Sequence, residues 1–272
     1  MPVDRSHLID PSRIEGVNAH ETSFLYDEIF TRSSYLPDGM SLPSDAVVFD
    51  VGANIGVFAL FAHAVCPDAT VYAFEPLPPV FEKLRHNTSV YGVPAHLFPY
   101  ALGDAEGEVD FTFYPGYTTM SATSSHAATE ADREFIKRQV SDAAREDLGD
   151  AAELLDEMLE YRFREVPYVC RTRRLSDVIA EQGVTRIDLL KVDVQRAEAD
   201  VLRGLDEAHW PLVRRIALEV HDEPGTPTEG RLALLSDELR RRGFEVPPPA
   251  GDGLVESGRH SVFATRPGGS AA

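Results

Sequence analysis

Two acids and a glycine turn carry the chemistry most legible in this chain. Val47-Val48-Phe49-Asp50-Val51-Gly52-Ala53-Asn54-Ile55-Gly56 is followed by Thr70-Val71-Tyr72-Ala73-Phe74-Glu75-Pro76. Glu75 lies about 20 residues past the turn, where a carboxylate accepts both hydroxyls of a ribose. A dinucleotide fingerprint reads G-x-G-x-x-G, and its middle glycine admits a diphosphate against the backbone. Here the pattern is G-x-x-x-G, and Asn54 fills the position of that glycine. A nucleoside without a diphosphate meets this pattern. S-adenosylmethionine is such a ligand, with a ribose for Glu75 and an amino-acid end for the turn and the helix N-terminus.

A second set of chemically able residues follows two later apolar runs, at Asp193 and at Glu219-Val220-His221. An alcohol acceptor must lose its proton, and a base of suitable pKa typically contributes about 10²–10⁴-fold. His221 is the first candidate, because an unperturbed imidazole titrates near 6.5. Asp193 is the second, either as a base or as a ligand to a divalent ion. Asp193, Glu219 and His221 would make an oxygen-rich site suited to magnesium or manganese. A carboxylate and a histidine act equally well without an ion. Glu198 reads as structural.

These residues need a frame. Val47 to Val51 is a buried strand by its continuous apolar character, and Val57 to Val65 is a helix by its length. Thr70 to Phe74 is the next strand, so the order is that of a nucleoside-binding βαβ unit. Gly52 allows a sharp turn beside a ligand, and Gly56 a close approach of helix and sheet. Ile187 to Val194 and Arg215 to Val220 continue the parallel sheet, and Phe244 to Val246 with Ser261 to Thr265 supply edge strands. Ligands bind outside the carboxyl ends of such strands, at the switch in strand order. That rule gathers Asp50, Gly52, Ala53, Asn54, Gly56, Glu75, Pro76, Ala101, Leu102 and Asp193 around the cofactor, with Ala101 to Asp104 ending the third strand and framing the adenine. Residues 1–46 form an N-terminal arm, helical over Glu21 to Phe30, ahead of one domain over 47–272. An insertion over about 116–165 begins with a polar loop, Thr118 to Ser125. It continues as two amphipathic helices between Ala131 and Phe163, read as a lid.

Composition bounds the alternatives. The 272 residues, 43% hydrophobic, suffice for one large α/β core. A net charge of -19 argues against nucleic acid, whose phosphates call for lysine and arginine. Two cysteines, Cys66 and Cys170, are too few for a disulfide framework and read as reduced core thiols. No apolar run approaches spanning length, and the first residues lack a signal-peptide layout. The expectation is a cytoplasmic protein, monomeric or homodimeric, with no membrane partner.

Several segments together have a more specific resemblance. They are Glu21 to Phe30 with Tyr35, Phe49 to Gly56, Ala73 to Pro76, Thr112-Phe113-Tyr114-Pro115 with Met120-Ser121, Leu189 to Val194, Glu219 to His221, and His260 to Ala264. This set resembles the FkbM family of S-adenosylmethionine-dependent O-methyltransferases, closest to its polyketide and macrolide branch. The resemblance implies a class I methyltransferase, Rossmann-like α/β fold with a seven-stranded, mostly parallel sheet and an antiparallel last strand. It implies methylation of a hydroxyl on a small molecule in secondary-metabolite biosynthesis, with Tyr26, Tyr35, Met120 and Ser121 at the acceptor. Gln195-Arg196 departs from the family, where many relatives carry an acid followed by a small or basic residue. Two other functions stand beside this one: a dinucleotide-dependent oxidoreductase, disfavoured by Asn54, and a catalytically silent S-adenosylmethionine-binding scaffold.

Overall fold

Strand β1 (Val47–Val51) is the centre of the molecule, and its apolar residues are buried on both faces. It pairs in parallel with β2 (Thr70–Phe74) on one side and β8 (Leu189–Val192) on the other. Continuously apolar strands of this kind require cover above and below, which the crossover helices provide. The computed structural model describes residues 9–37, 40–126, 163–248 and 258–267. With β3 (Ala95–Phe98), β9 (Arg215–His221) and β10 (Arg259–Thr265), the main sheet runs β10-β9-β8-β1-β2-β3. Only β10 is antiparallel, pairing His260 with Val220 and Ser261 with Glu219.

The expected seven strands are six among the described residues, plus a remnant. Phe244 to Val246 does not form a strand; Glu245 makes a single antiparallel bridge to Thr265. Glu245 is followed by Val246-Pro247-Pro248-Pro249, and proline has no N–H with which to extend a ladder. The third-strand boundary also moves. That strand ends at Phe98, and β4 (Ala101–Gly103) belongs to a second sheet of order β4-β7-β5-β6. This sheet is built by β5 (Gly107–Phe113), β6 (Ala122–Thr123) and β7 (Val166–Arg174). The two helices expected between Ala131 and Phe163 lie outside the described residues but for Phe163, which is in a turn.

Helices α2 (Val57–Val65) and α3 (Pro78–Val90) cover one face of the main sheet together with α1 (Ala19–Tyr26) from the arm. Helices α4 (Leu175–Gln182), α5 (Glu198–Arg203) and α6 (Arg231–Arg241) cover the other. Helix α1 begins where the Asn18 side chain accepts a hydrogen bond from Glu21 N at 2.8 Å, a cap whose loss costs about 1 kcal/mol. It runs into a single π-helical turn, Asp27–Thr31, a form found mostly at functional sites. An aromatic ladder crosses the sheet on one face. Phe49 stacks on Tyr72 at 4.7 Å and Phe74 on Phe98 at 4.8 Å, each pair contributing about 0.5–1.5 kcal/mol beyond the area it buries. Among the described residues no helix is long and apolar enough to cross a membrane.

Candidate active site

The carboxyl ends of β1, β2 and β8 open into one cavity of about 370 Å³. Its wall includes Gly52, Ala53 and Asn54 from the turn, Glu75, Pro76 and Leu77 after β2, Ala101 to Asp104, and Lys191, Asp193 and Gln195 around the end of β8. Gly52 has φ 78°, and a Cβ there would lie 1.8 Å from the carbonyl oxygen of Asp193. Only glycine lets the two strand ends come this close. Gly56, at φ 90°, has a different neighbour from the cofactor: a Cβ there would lie 2.8 Å from Leu84 on α3. It sets helix packing and is not on the cavity wall.

Glu75 is 6% exposed. Its Oε1 accepts from Leu77 N at 2.9 Å and its Oε2 from Asn54 N at 3.1 Å. Each oxygen keeps a further lone pair, since an ionised carboxylate has about four acceptor sites. Burial pushes this carboxyl up to about 7, opposed by those two backbone N–H groups. The carboxylate is therefore short of donors and faces a cavity.

Asp50, expected at the cofactor, is instead fully buried behind the turn and does not line the cavity. Its Oδ1 lies 3.0 Å from Lys191 Nζ, which also donates to the Gly52 carbonyl at 2.7 Å. Burial works to discharge this lysine, but Asp50 and Asp193 outweigh it and hold its pKa above the usual range. Lys191 thus fixes the glycine turn electrostatically. Sequence reasoning missed it, although a lysine inside the apolar run Leu189-Leu190-Lys191-Val192 is itself a signal, because lysine is almost never fully buried unless paired.

Asp193 reaches the cavity as expected. Its Oδ2 accepts from the Tyr35 phenol at 2.8 Å and lies 3.8 Å from Lys191 Nζ. Tyr35 comes from the arm, and its ring packs edge-on against Phe58 at 5.5 Å and under Lys191 Nζ at 5.1 Å. Burial and the charges of Asp193, Glu219 and Glu28 push the phenol well above its ordinary range, so it is a neutral donor. Glu28, on the π-helical turn, is pushed up to about 7 by burial and by Glu219 and Asp193.

The structure does not bring His221 to the cavity. It is 2% exposed and sits in a network below the floor. Its Nδ1 is 2.7 Å from Glu198 Oε1, and its Nε2 is 3.7 Å from Glu219. Burial works against the imidazolium, yet the Glu198 hydrogen bond and charge outweigh it and raise the pKa. Glu198 is lowered for the reciprocal reason, against its own burial. With Nδ1 engaged by Glu198, Nε2 turned toward Glu219, and the ring off the cavity wall, the imidazole is not placed to take a proton from an acceptor. The structural reading of Glu198 agrees with this: it also binds Arg231 at 3.0 Å and Arg196 N at 2.8 Å. Glu219 is pushed up by burial and by the charge of Asp193 and lies 3.7 Å from His221 Nε2, but of the three only Asp193 lines the cavity. Among the described residues no group of three or more His, Cys, Asp or Glu side chains is arranged to hold an ion. The magnesium or manganese site is therefore not supported.

Among the described residues the roof of the cavity combines the end of β5, a 3-10 turn over Thr118–Met120 and the short strand β6. Val109 and Phe111 of β5, Thr118, Thr119, Ser121 and Thr123 line it. The Thr118 hydroxyl meets both ends of the Asn54 carboxamide, at 3.1 and 3.2 Å. Thr119 N donates to Glu21 Oε1 at 2.9 Å, and Asn18 Nδ2 to the Gly116 carbonyl at 3.1 Å. The arm and the roof are thus tied together over the glycine turn. Of the four residues expected at the acceptor, Tyr35 and Ser121 line the cavity, while Tyr26 and Met120 do not. Tyr26 stacks on Phe30 at 4.6 Å in the arm's own packing.

The family model described as Methyltransferase FkbM domain matches residues 50–246. This chain belongs to the FkbM methyltransferase family. The AMB antimetabolite synthetase AmbE of Pseudomonas aeruginosa is 48% identical over 260 residues, which is 94% of this chain but 12% of that protein. The 31-O-demethyl-FK506 methyltransferase FkbM of Streptomyces tacrolimicus is 39% identical over 269 residues, 98% of each chain. Methyltransferase sdnD of Sordaria araneosa is 33% identical over 88% of this chain and 89% of its own. The crystal structure of methyltransferase FkbM from Methylobacillus flagellatus has a TM-score of 0.51 at 11% identity, covering 96% of this chain and 58% of that one. It shows the shared class I methyltransferase fold.

For an FkbM methyltransferase the residues present fit S-adenosylmethionine. Glu75 has two unused acceptor positions for a ribose, and Pro76, Leu77, Ala101 and Leu102 give an apolar slot beside it. The residues that sequence reasoning missed here are Lys191, the roof from Val109 to Phe111, and Leu25, Ile29 and Phe58, which make an apolar wall near Tyr35.

Proposed function

We propose that this FkbM-family chain methylates a hydroxyl oxygen of a small molecule, using S-adenosylmethionine, as a tailoring step in secondary-metabolite biosynthesis. The observation that carries the reading is a single cavity shared by a donor-poor Glu75 and a phenol-oriented Asp193. When bound, the sulfonium cofactor supplies an electrophilic methyl group, so alignment and proton removal are the protein's part. Glu75 holds the ribose. The turn from Gly52 to Asn54, stiffened by Lys191, sets the position of the amino-acid end. Asp193 is the base: Tyr35 occupies Oδ2, and Oδ1, which accepts a long 3.5 Å hydrogen bond from Gln195 Nε2, takes the hydroxyl proton on its other lone pair. His221 and Glu198 are positioning residues that hold the segment after Asp193.

The roof and the apolar wall of Leu25, Ile29 and Phe58 keep water from the reacting oxygen. The FK506 methyltransferase acts at an oxygen by its name, and AmbE is an antimetabolite synthetase; both support a tailoring role for this chain. Titration with S-adenosylmethionine and with NADH, followed by detection of S-adenosylhomocysteine on adding acceptors, tests the reading. Binding of the first alone with turnover is expected. NADH binding returns the oxidoreductase, and tight cofactor binding with no turnover on any acceptor returns the silent scaffold.

A further inference from the structure

We propose that the N-terminal arm is a latch on cofactor exchange: Glu21 holds the roof shut over the glycine turn, and S-adenosylmethionine enters and leaves only when that hold is broken. The proposal rests on the methyl-transfer reading above and concerns how its cofactor reaches the cavity.

The latch is a carboxylate diverted from an ordinary role. Asn18 caps α1 and Glu21 stands three residues on, the spacing of a capping box. In that motif the glutamate reaches back to the backbone N–H of its own cap residue. Glu21 Oε1 instead accepts from Thr119 N at 2.9 Å, a partner 98 positions away. The side chain is 6% exposed. Burial works against its charge, while donors from Thr118 and Thr119 favour it. Burying a carboxylate is costly unless it is hydrogen-bonded, and here the donors come from the roof. What Glu21 holds is the 3-10 turn Thr118–Met120.

The other side of that turn rests on the cofactor site. Thr118, itself 4% exposed, accepts from Asn54 Nδ2 at 3.1 Å. Ile55 N sets the orientation of the carboxamide by donating to Asn54 Oδ1 at 2.7 Å. Asn54 N then donates to Glu75 Oε2 at 3.1 Å. One chain of hydrogen bonds therefore runs from the arm, through the roof and the glycine turn, to the carboxylate that takes the ribose. Asn18 adds a second tie, donating to the Gly116 carbonyl at 3.1 Å. Thr118, Thr119, Asn54 and Glu75 all line the cavity. A cofactor lying between the turn and Glu75 is thus beneath the tie, and its amino-acid end passes only when roof and turn part. Glu21 does not line the cavity. Breaking its bond changes how often the roof opens, and leaves the groups that face the cofactor in place.

A gate and a binding contact differ in kinetics. A gate limits entry and exit alike, whereas a contact slows exit alone. Surface plasmon resonance on the full chain with S-adenosylhomocysteine reads both rates. Loss of a hydrogen bond to a charged group corresponds to about tenfold or more in the opening equilibrium. Glu21→Ala should therefore raise the association and dissociation rate constants together by about tenfold, with Kd held within about threefold. Thr118→Val removes the hydroxyl between Asn54 and the arm and should also speed both steps, which keeps the test open if Glu21→Ala folds poorly. Thr118→Ser, which keeps the hydroxyl, should return wild-type rates. Unchanged rates in both disrupting variants, or faster dissociation with no faster association, overturns the latch and leaves the methyl-transfer reading standing. A wild-type chain that binds no S-adenosylhomocysteine overturns that reading, and the latch with it.

Discussion

Cofactor affinity should follow the ionisation of Glu75. Burial moves this carboxyl from its ordinary 4.5 up to about 7. Between those values the folded protein holds a proton that the unfolded chain has released. Stability therefore falls as pH rises from about 4.5, and the penalty is complete above about 7. At about 1.36 kcal/mol per pKa unit, the shift amounts to about 3 kcal/mol for the empty site. A ribose diol offers two donors to the ionised form, so binding below pH 7 must release that proton. Affinity should rise up to about tenfold per unit from pH 5 to 7 and level off above. Glu28 titrates in the same range, so the slope is read against Glu75→Gln. That variant keeps a neutral acceptor but loses two charge-assisted bonds, each of a class worth about 1.5–3 kcal/mol. Affinity at pH 8 should drop at least about tenfold, and Glu75's share of the pH slope should vanish. Isothermal titration with S-adenosylmethionine, in two buffers of different ionisation enthalpy, reads both affinity and proton release. A flat wild-type profile with no proton released, or an unchanged slope in Glu75→Gln, refutes the reasoning.

Tyr35→Phe removes the 2.8 Å bond to Asp193; turnover should fall about 10- to 100-fold, while cofactor affinity is unchanged. Equal turnover would show that Asp193 needs no orienting phenol. His221→Ala removes the 2.7 Å partner of buried Glu198 and leaves it Arg231 at 3.0 Å, and should cost about 3 kcal/mol, the low end for a broken buried pair. Denaturant unfolding measures it; full stability with lost turnover would instead return His221 as the base. Because no three His, Cys, Asp or Glu side chains among the described residues are arranged to hold an ion, turnover should survive exhaustive chelation. Activity restored only by added magnesium or manganese would contradict this.

The cofactor end of the site was legible because its signals are local. A buried strand, a glycine turn, a helix and an acid lie within one βαβ unit, and each has a spacing that physics fixes. Asp193 was legible for the same reason, as the first polar residue after a buried strand. His221 misled because the strand-end rule says which end of the sheet a residue occupies and not which way its side chain faces. Glu198, 23 residues earlier, captures the imidazole below the floor. The second sheet was hidden in part because β4 and β6 are three and two residues long, too short for any periodicity to register. In β7, arginines at 171, 173 and 174 further mask the alternation. The arm offered two tyrosines, and tertiary packing against Phe58 with the bond to Asp193 distinguishes Tyr35 from Tyr26, which stacks on Phe30. The helices expected in the insertion fall outside the described residues.

Transfer of a ¹³C-labelled methyl group tests the central claim most directly. The enzyme, S-adenosyl-[methyl-¹³C]methionine and a fractionated metabolite extract are incubated, and the labelled product is read by carbon NMR, whose shift separates methyl on oxygen from methyl on nitrogen or carbon. The account predicts a single methoxy signal that Asp193→Asn abolishes while titration still shows cofactor bound. Label arriving on nitrogen or carbon, or a methoxy signal undiminished in Asp193→Asn, contradicts it.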